Sequence, residues 1–493
     1  MSEPLVIVGA ALAALVCAEA RAKQGRSTIV VNPGGPWGGY FAGVQADGRR
    51  WDLGTVLLEF TSFRAPAQPP AIESYDAGLR NDIGRFTAAV RGWLEERAPM
   101  RDVQPITMWT GRHRLPDLLL GNRLDALTAL PCADAARAEL RATLAERSAS
   151  RWHARRKDGW GDDGPGYDAV SRINHGSVLH DAVFAPFAKQ VMNTAASGIV
   201  ARFHRMPWLP LYWPETLLAA LEGRPCGLAP TVYSHAVRAS TGELCAALVE
   251  RLRGDARVTL IDDRVTALER SGRGFALQLE RRGRLDAPRL AWANAPRQAL
   301  AAAGEALGPA ADERLPLRLL LLRLSATARA QPFSIVHSID PASGFYRVTD
   351  VSDCAGEAGE LRLAIEAHPQ RCAEAHGPLK DEAAIVAALL RDLARAGLVA
   401  GDAIEPRFAK LLDLPAALPL PSAAALAAQA GERRRMLEVL PGIETLAASA
   451  GAFATSLSDQ IVQGLKLAAQ ESLAREERRF EPADPASRAP LAA

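Results

Sequence analysis

Apolar positions fall into short solid runs separated by longer periodic stretches. Leu5-Val-Ile-Val8 is a β-branched run ended by Gly9, the pattern of a strand buried on both faces. Ala10 to Lys23 is rich in Ala and Leu and predicts a helix closed by Gly25. Ser27 to Val31 predicts a second buried strand. The order strand, Gly turn, helix, strand is a βαβ unit, and its helix N-terminus is suited to a pyrophosphate.

The pattern continues in alternating blocks. Gly43 to Gly54 predicts a turn and strand, and Thr55-Val-Leu-Leu-Glu59-Phe60 extends it. Arg64 to Ile72 holds Pro66, Pro69 and Pro70 and predicts a loop, followed by helical spacing over Asp76 to Glu96. Asn122 to Arg151 predicts a helical region, Lys157 to Gly166 a mobile connection, and Ser171 to Val191 further helix. A helix from Thr241 to Leu252 precedes four strands, Val258–Ile261, Val265–Glu269, Phe275–Arg281 and Arg289–Pro296. Leu315 to His368 is strand-rich, Asp381 to Ala396 helical, Leu414 to Ser422 an extended linker, and Glu476 onward a frayed tail.

The turn after the first strand carries an altered glycine fingerprint. Where G-x-G-x-x-G belongs, the chain has Gly9-Ala10-Ala11-Leu12-Ala13-Ala14. Gly9 makes the turn, and Ala14 still allows close packing of helix on strand. Ala11 puts a methyl where backbone approaches phosphate. Asn32 stands where an acid takes a ribose hydroxyl. A neutral residue there also suits a 2′-phosphate and NADP, but Pro33 to Trp37 offers no cation.

Gly38-Gly39 follows, then Trp51-Asp52-Leu53-Gly54. With the βαβ unit and the four-strand return, these segments resemble the flavoprotein superfamily of amine oxidases, protoporphyrinogen oxidases, phytoene desaturases and UDP-galactopyranose mutases. The resemblance implies an α/β fold with a Rossmann-like discontinuous FAD-binding domain and an inserted α+β substrate domain. The FAD-binding segments are then 1–105, 231–300 and 431–475, the substrate segments 106–230 and 301–430, and 476–493 a tail. FAD is the implied cofactor. Gly38, Gly39, Gly54 and Thr55 then lie beside it, the strand from Val265 passes the adenine, and Asp459, Gln460 and Gly464 open a helix beside the flavin. Tyr346-Arg347 is similar to an aromatic-Arg pair near the mutase substrate, and a guanidinium forks onto carboxylate or phosphate. Tyr40 departs from the Arg usual in the family.

Composition adds exclusions. In 493 residues, 48% are hydrophobic and the formal charge is +2, so no field draws nucleic acid or a membrane surface. The six cysteines are scattered with no C-x-x-C, which argues against a zinc ribbon and suits a cytoplasmic location. Glu3 before the first apolar run argues against a signal peptide. Glu59 within an apolar run and His175 are candidate acid–base residues, with a paired strand-end acid and a structural histidine as the alternatives. His175 and His180 are five apart, which does not suit a metal on one helical face. The expectation is an FAD-dependent oxidoreductase that transfers a hydride from a small metabolite to flavin N5. A mutase using reduced FAD and a relative that has lost flavin are the alternatives, and a homodimer stays open.

Overall fold

The structure, a computed structural model, describes residues 3–59, 89–146, 164–193, 196–226, 228, 230–309, 313–401, 404–451 and 456–480. The chain divides into two units, Met1–Tyr40 with Cys245–Leu307 and Arg433–Ala493, and Phe41–Leu244 with Gly308–Glu432.

The first unit is built on β1 (Leu5–Val8), α1 (Leu12–Lys23) and β2 (Thr28–Asn32). Its sheet runs Val258–Asp262, β2, β1, Arg289–Trp292, Glu444–Thr445 in space, and every pair is parallel. All four residues of β1 are fully buried, as the solid apolar run predicts for a central parallel strand. Strands Val265–Ser271, Gly274–Leu279 and Gly283–Ala287 form an antiparallel meander. Its inner residues Leu268, Phe275 and Leu277 share one core with Val6, Val8 and Trp292.

The second unit centres on a seven-stranded sheet ordered Phe408–Pro419, Arg314–Ser325, Glu360–Ala367, Arg347–Asp350, Ile335–Ser338, Ile106–Trp109, Arg114–Pro116. Successive side chains take opposite faces. Leu319 and Met108 enter one core with Tyr167, Phe184 and Tyr212, while Leu320 and Trp109 enter another with Leu389 and Leu393. One cross-strand row on the first face breaks the apolar pattern. Register pairs His337 with Arg347, Arg347 with Glu366, and Glu366 with Leu319.

Several expectations need correction. The first segment of the first unit ends at Tyr40, where the expectation carried it to 105, and Met100–Val103 and its partner strand Tyr233–Ala236 both fall in the second unit. Leu414–Ser422 is largely strand rather than linker. It lies on the sheet edge, the place in a sheet where prolines such as Pro415 and Pro419 are tolerated. Among the described residues 122–146, helix is confined to a 3₁₀ stretch Leu124–Ala129 and the α-helix Ala133–Glu146. The helix that begins at Leu457 runs through 476 to Phe480. The loop at 64–72, much of the helix at 76–96, the connection at 157–163 and residues 452–455 and 481–493 lie outside the described residues.

Candidate functional site

In the first unit, the C-terminal ends of the parallel strands frame two cavities. Gly9 leaves β1 at φ +116°, and a Cβ there would stand 2.7 Å from Asn294 Oδ1, so the turn requires glycine. Ala11 pairs with Gly38, whose N–H donates to Ala10 O at 2.7 Å. The Gly-Gly segment therefore lies beside the start of α1. The larger cavity, about 670 Å³, is lined by Val8, Gly34, Val265, Thr266, Trp292 and Asn294 among others. The smaller, about 320 Å³, is lined by Asn32, Pro33, Gly34, Asp262, Arg264 and Arg281 among others.

The polar groups expected at the phosphate end already have partners within the chain. The Ala13 N–H, in the first turn of α1, donates to Gln460 Oε1 at 3.2 Å. Asn32 Oδ1 accepts from Gly34 N at 3.1 Å, and its Nδ2 donates to Gly35 O at 3.0 Å and Asp262 Oδ1 at 2.9 Å. Asp459 belongs to a capping box. Its carboxylate accepts from Ser456 N and Oγ, while Ser456 Oγ accepts from Asp459 N. Burial pushes the Asp459 carboxyl up from its ordinary value. Gly464 serves helix packing, since a Cβ there would lie 2.5 Å from Ala13 O and 2.8 Å from Val16 Cβ. Of these residues Val265 lines the larger cavity, Gly9, Ala11 and Gly38 form the turn at the start of α1, Asp459 takes part in capping and Gly464 in helix packing.

In the second unit, four residues singled out in the sequence meet on one that was not. Glu366, 1% exposed, accepts from Arg347 Nε at 2.9 Å and Nη2 at 2.6 Å, and from Tyr346 OH at 3.0 Å. Thr55 N and Oγ1 add bonds at 2.8 and 2.9 Å, and a Cβ on Gly54 would reach the same carboxylate at 3.2 Å. The guanidinium lies 4.0 Å over the Trp208 ring, which also stacks on Tyr346. Burial works against the charge of Glu366, but Arg347 and the Thr55 donors hold its carboxyl below the usual carboxylate range. The fork expected to grip an external anion grips one from the chain itself.

His175 is a core histidine. It is fully buried, its Nε2 accepts from Tyr212 N at 2.9 Å, and its Nδ1 bonds Ser171 Oγ at 2.9 Å. With both ring nitrogens engaged it has none to offer a substrate, and burial keeps it neutral by lowering its pKa well below the ordinary value. Glu59 ends the short strand Leu58–Glu59, which pairs with Tyr233 and Ser234; its side chain is outside the described set. Asp52, two residues before Gly54, accepts from Thr241 N and Gly242 N at 3.2 Å each, and desolvation pushes its carboxyl up to about 6. Among the described residues, no group of three or more His, Cys, Asp or Glu could hold a metal. No helix among them is long and apolar enough to cross a membrane.

No protein-family model matches the sequence, and no curated protein matches it. Solved structures do match along the whole length. Reduced UDP-galactopyranose mutase is 13% identical, with 98% of this chain and 97% of that one covered and a TM-score of 0.67. A protein named as a protoporphyrinogen oxidase, from Exiguobacterium sp. 255-15, is 15% identical over 96% of this chain and 99% of that one, with a TM-score of 0.63. Putrescine oxidase is 15% identical over the same shares, with a TM-score of 0.57. This chain has the flavin amine oxidase-like fold. At such identities the likeness concerns the fold, and the chemistry must be argued from the chain's own residues. Within this fold, the signal for Glu366 was an acid inside the otherwise mostly apolar run Leu361-Arg-Leu-Ala-Ile-Glu-Ala367. The signal for Asp459 was the capping pattern Ser456-Leu-Ser-Asp459.

Proposed function

We propose that this chain is an FAD-dependent oxidoreductase acting on a small metabolite without a strongly anionic group. The observation that carries the cofactor half is the cavity of about 670 Å³ at the carboxyl ends of β1 and Arg289–Trp292. It opens where strand order reverses about β1, the place where open α/β sheets take nucleotides. Its walls suit an adenosine: the Val265 strand offers backbone for the base edge, and Gly34 leaves room for close approach. The phosphate end fits less openly, since Gln460 competes for the Ala13 N–H. When bound, FAD supplies the hydride acceptor.

The chain's own residues define the substrate half. Arg347 is charge-neutralised by Glu366, so the pair forms a rigid polar wall and not an anion receptor. That weighs against the diphosphate substrate of a mutase. The reading without flavin draws support from Ala11 and from Gln460 on the first turn of α1.

Absorbance of the purified protein separates these readings. A flavin band, FAD released on denaturation, and anaerobic bleaching by the substrate are expected. Turnover confined to dithionite-reduced protein would favour the mutase. A colourless protein that takes up no added FAD would leave the flavin-free reading.

A further inference from the structure

The acid that holds a ribose in a Rossmann-type unit stands at the end of the second strand, about 20 residues after the glycine turn. Here that position is Asn32, and its amide is committed. Both Nδ2 hydrogens are spent, on Gly35 O and Asp262 Oδ1, and Oδ1 already accepts the Gly34 N–H. The side chain shapes the loop 33–35 and reaches sideways to the next strand. Asn32 and Asp262 are register partners in the parallel pair of β2 and Val258–Asp262. A carboxylate therefore stands at the height expected for the ribose acid, displaced by one strand spacing of about 4.8 Å.

We infer that Asp262 is the residue that takes the ribose hydroxyls of a nucleotide in these cavities, with Asn32 as its positioning partner. The inference rests on the dinucleotide reading above. Asp262 is exposed and lines the smaller cavity, which shares Pro33, Gly34 and Arg264 with the larger. One carboxylate oxygen receives the Asn32 amide, which fixes the group's orientation before a ligand arrives.

The surrounding charges weigh against a 2′-phosphate. Arg264 is paired with Glu280 at 2.5 Å, and Arg281 donates to the Asp262 carbonyl and faces Asp263 at 3.7 Å. The nearby cations thus already answer carboxylates, and Asp262 itself repels a phosphate placed against it. The ligand class is a nucleoside diphosphate or dinucleotide with a free 2′,3′-diol.

The test compares ADP, 2′-deoxy-ADP and ADP carrying a 2′-phosphate by calorimetry on the wild type, Asp262→Ala, Asp262→Asn and Asn32→Ala, with FAD uptake measured alongside. Wild type should favour ADP over 2′-deoxy-ADP by about tenfold or more, as a charged hydrogen bond requires. That ratio should fall towards one in Asp262→Ala, be intermediate in Asp262→Asn, and drop partially in Asn32→Ala. Asp262→Ala should also improve binding of the 2′-phosphorylated probe. An undiminished ratio in Asp262→Ala, in protein that melts as wild type does, overturns the inference while FAD uptake by that variant leaves the cofactor reading intact. Wild type that binds neither ADP nor FAD overturns both.

Discussion

The Arg347–Glu366 pair makes a prediction that can be worked through in numbers. Both side chains are at least 97% inaccessible to solvent. Two of the carboxylate's five hydrogen bonds come from Arg347, at 2.6 and 2.9 Å. Arg347→Met keeps side-chain length but leaves a buried carboxylate held by Tyr346 and Thr55 alone. Glu366→Met leaves a buried guanidinium over Trp208. Removing one partner of such a pair costs about 3–5 kcal/mol, whereas replacing both by packed apolar groups is often close to neutral. The double variant should therefore be more stable than either single one, and the coupling should reach about 3 kcal/mol or more. Urea denaturation followed by tryptophan emission suits the purpose, because Trp208 lies 4.0 Å from the guanidinium. A Trp208→Phe background identifies which transition reports the second unit, since a two-unit chain need not unfold in one step. Glu366 also fixes the sign of the acid response. Its folded-state pKa lies below the ordinary 4.5, so its contribution is complete above that pH and is lost as pH falls through the depressed value. Arg347→Met should shift this acid transition to higher pH. Additive single costs, with an unmoved acid limb, would refute the idea that the two charges hold one another.

Three further outcomes follow from local geometry. Gly464→Ala pushes a methyl onto Ala13 O and Val16, and should destabilise the first unit by about 1–3 kcal/mol in a thermal melt. Gln460→Ala frees the Ala13 N–H and should strengthen FAD retention through dialysis about two- to tenfold; weakened retention would make Gln460 a cofactor ligand. Asp52 keeps its proton up to about 6 when folded, against an ordinary 3.8, so stability should fall as pH rises from about 4 to 6, by at most about 3 kcal/mol. Asp52→Asn should flatten that slope, as read from melting temperatures across the range.

The Rossmann-like fold was legible because its signals are local. A solid apolar run, one obligatory glycine and an Ala/Leu helix specify β1, the turn and α1 without reference to anything distant. The Val265 strand could be placed for the same reason. Glu366 was missed because its meaning depends on pairing three strands into register, which a linear pattern does not encode. Gly464 and Asp459, placed beside the flavin by the resemblance, also have local roles that short-range physics explains, a helix crossing in one case and a capping box in the other. Asn32 was recognised as a substitution at the position of the usual acid, but only the neighbouring strand shows that its amide is bonded to the Asp262 carboxylate.

The order of strands in the first sheet also governs how the protein is made. β1 is synthesised well before its partner Arg289–Trp292, and the outer strand Glu444–Thr445 follows later still. At about 5–20 residues per second, that first partner arrives roughly 15–60 s behind β1. Until then one side of an entirely apolar strand has no ladder to join, an exposed edge of the kind that recruits other chains. Meanwhile residues 41–244 emerge as one long stretch of the second unit. The growing chain therefore carries an unpaired apolar edge until Arg289–Trp292 has emerged, which makes β1 a place where a holdase chaperone would matter.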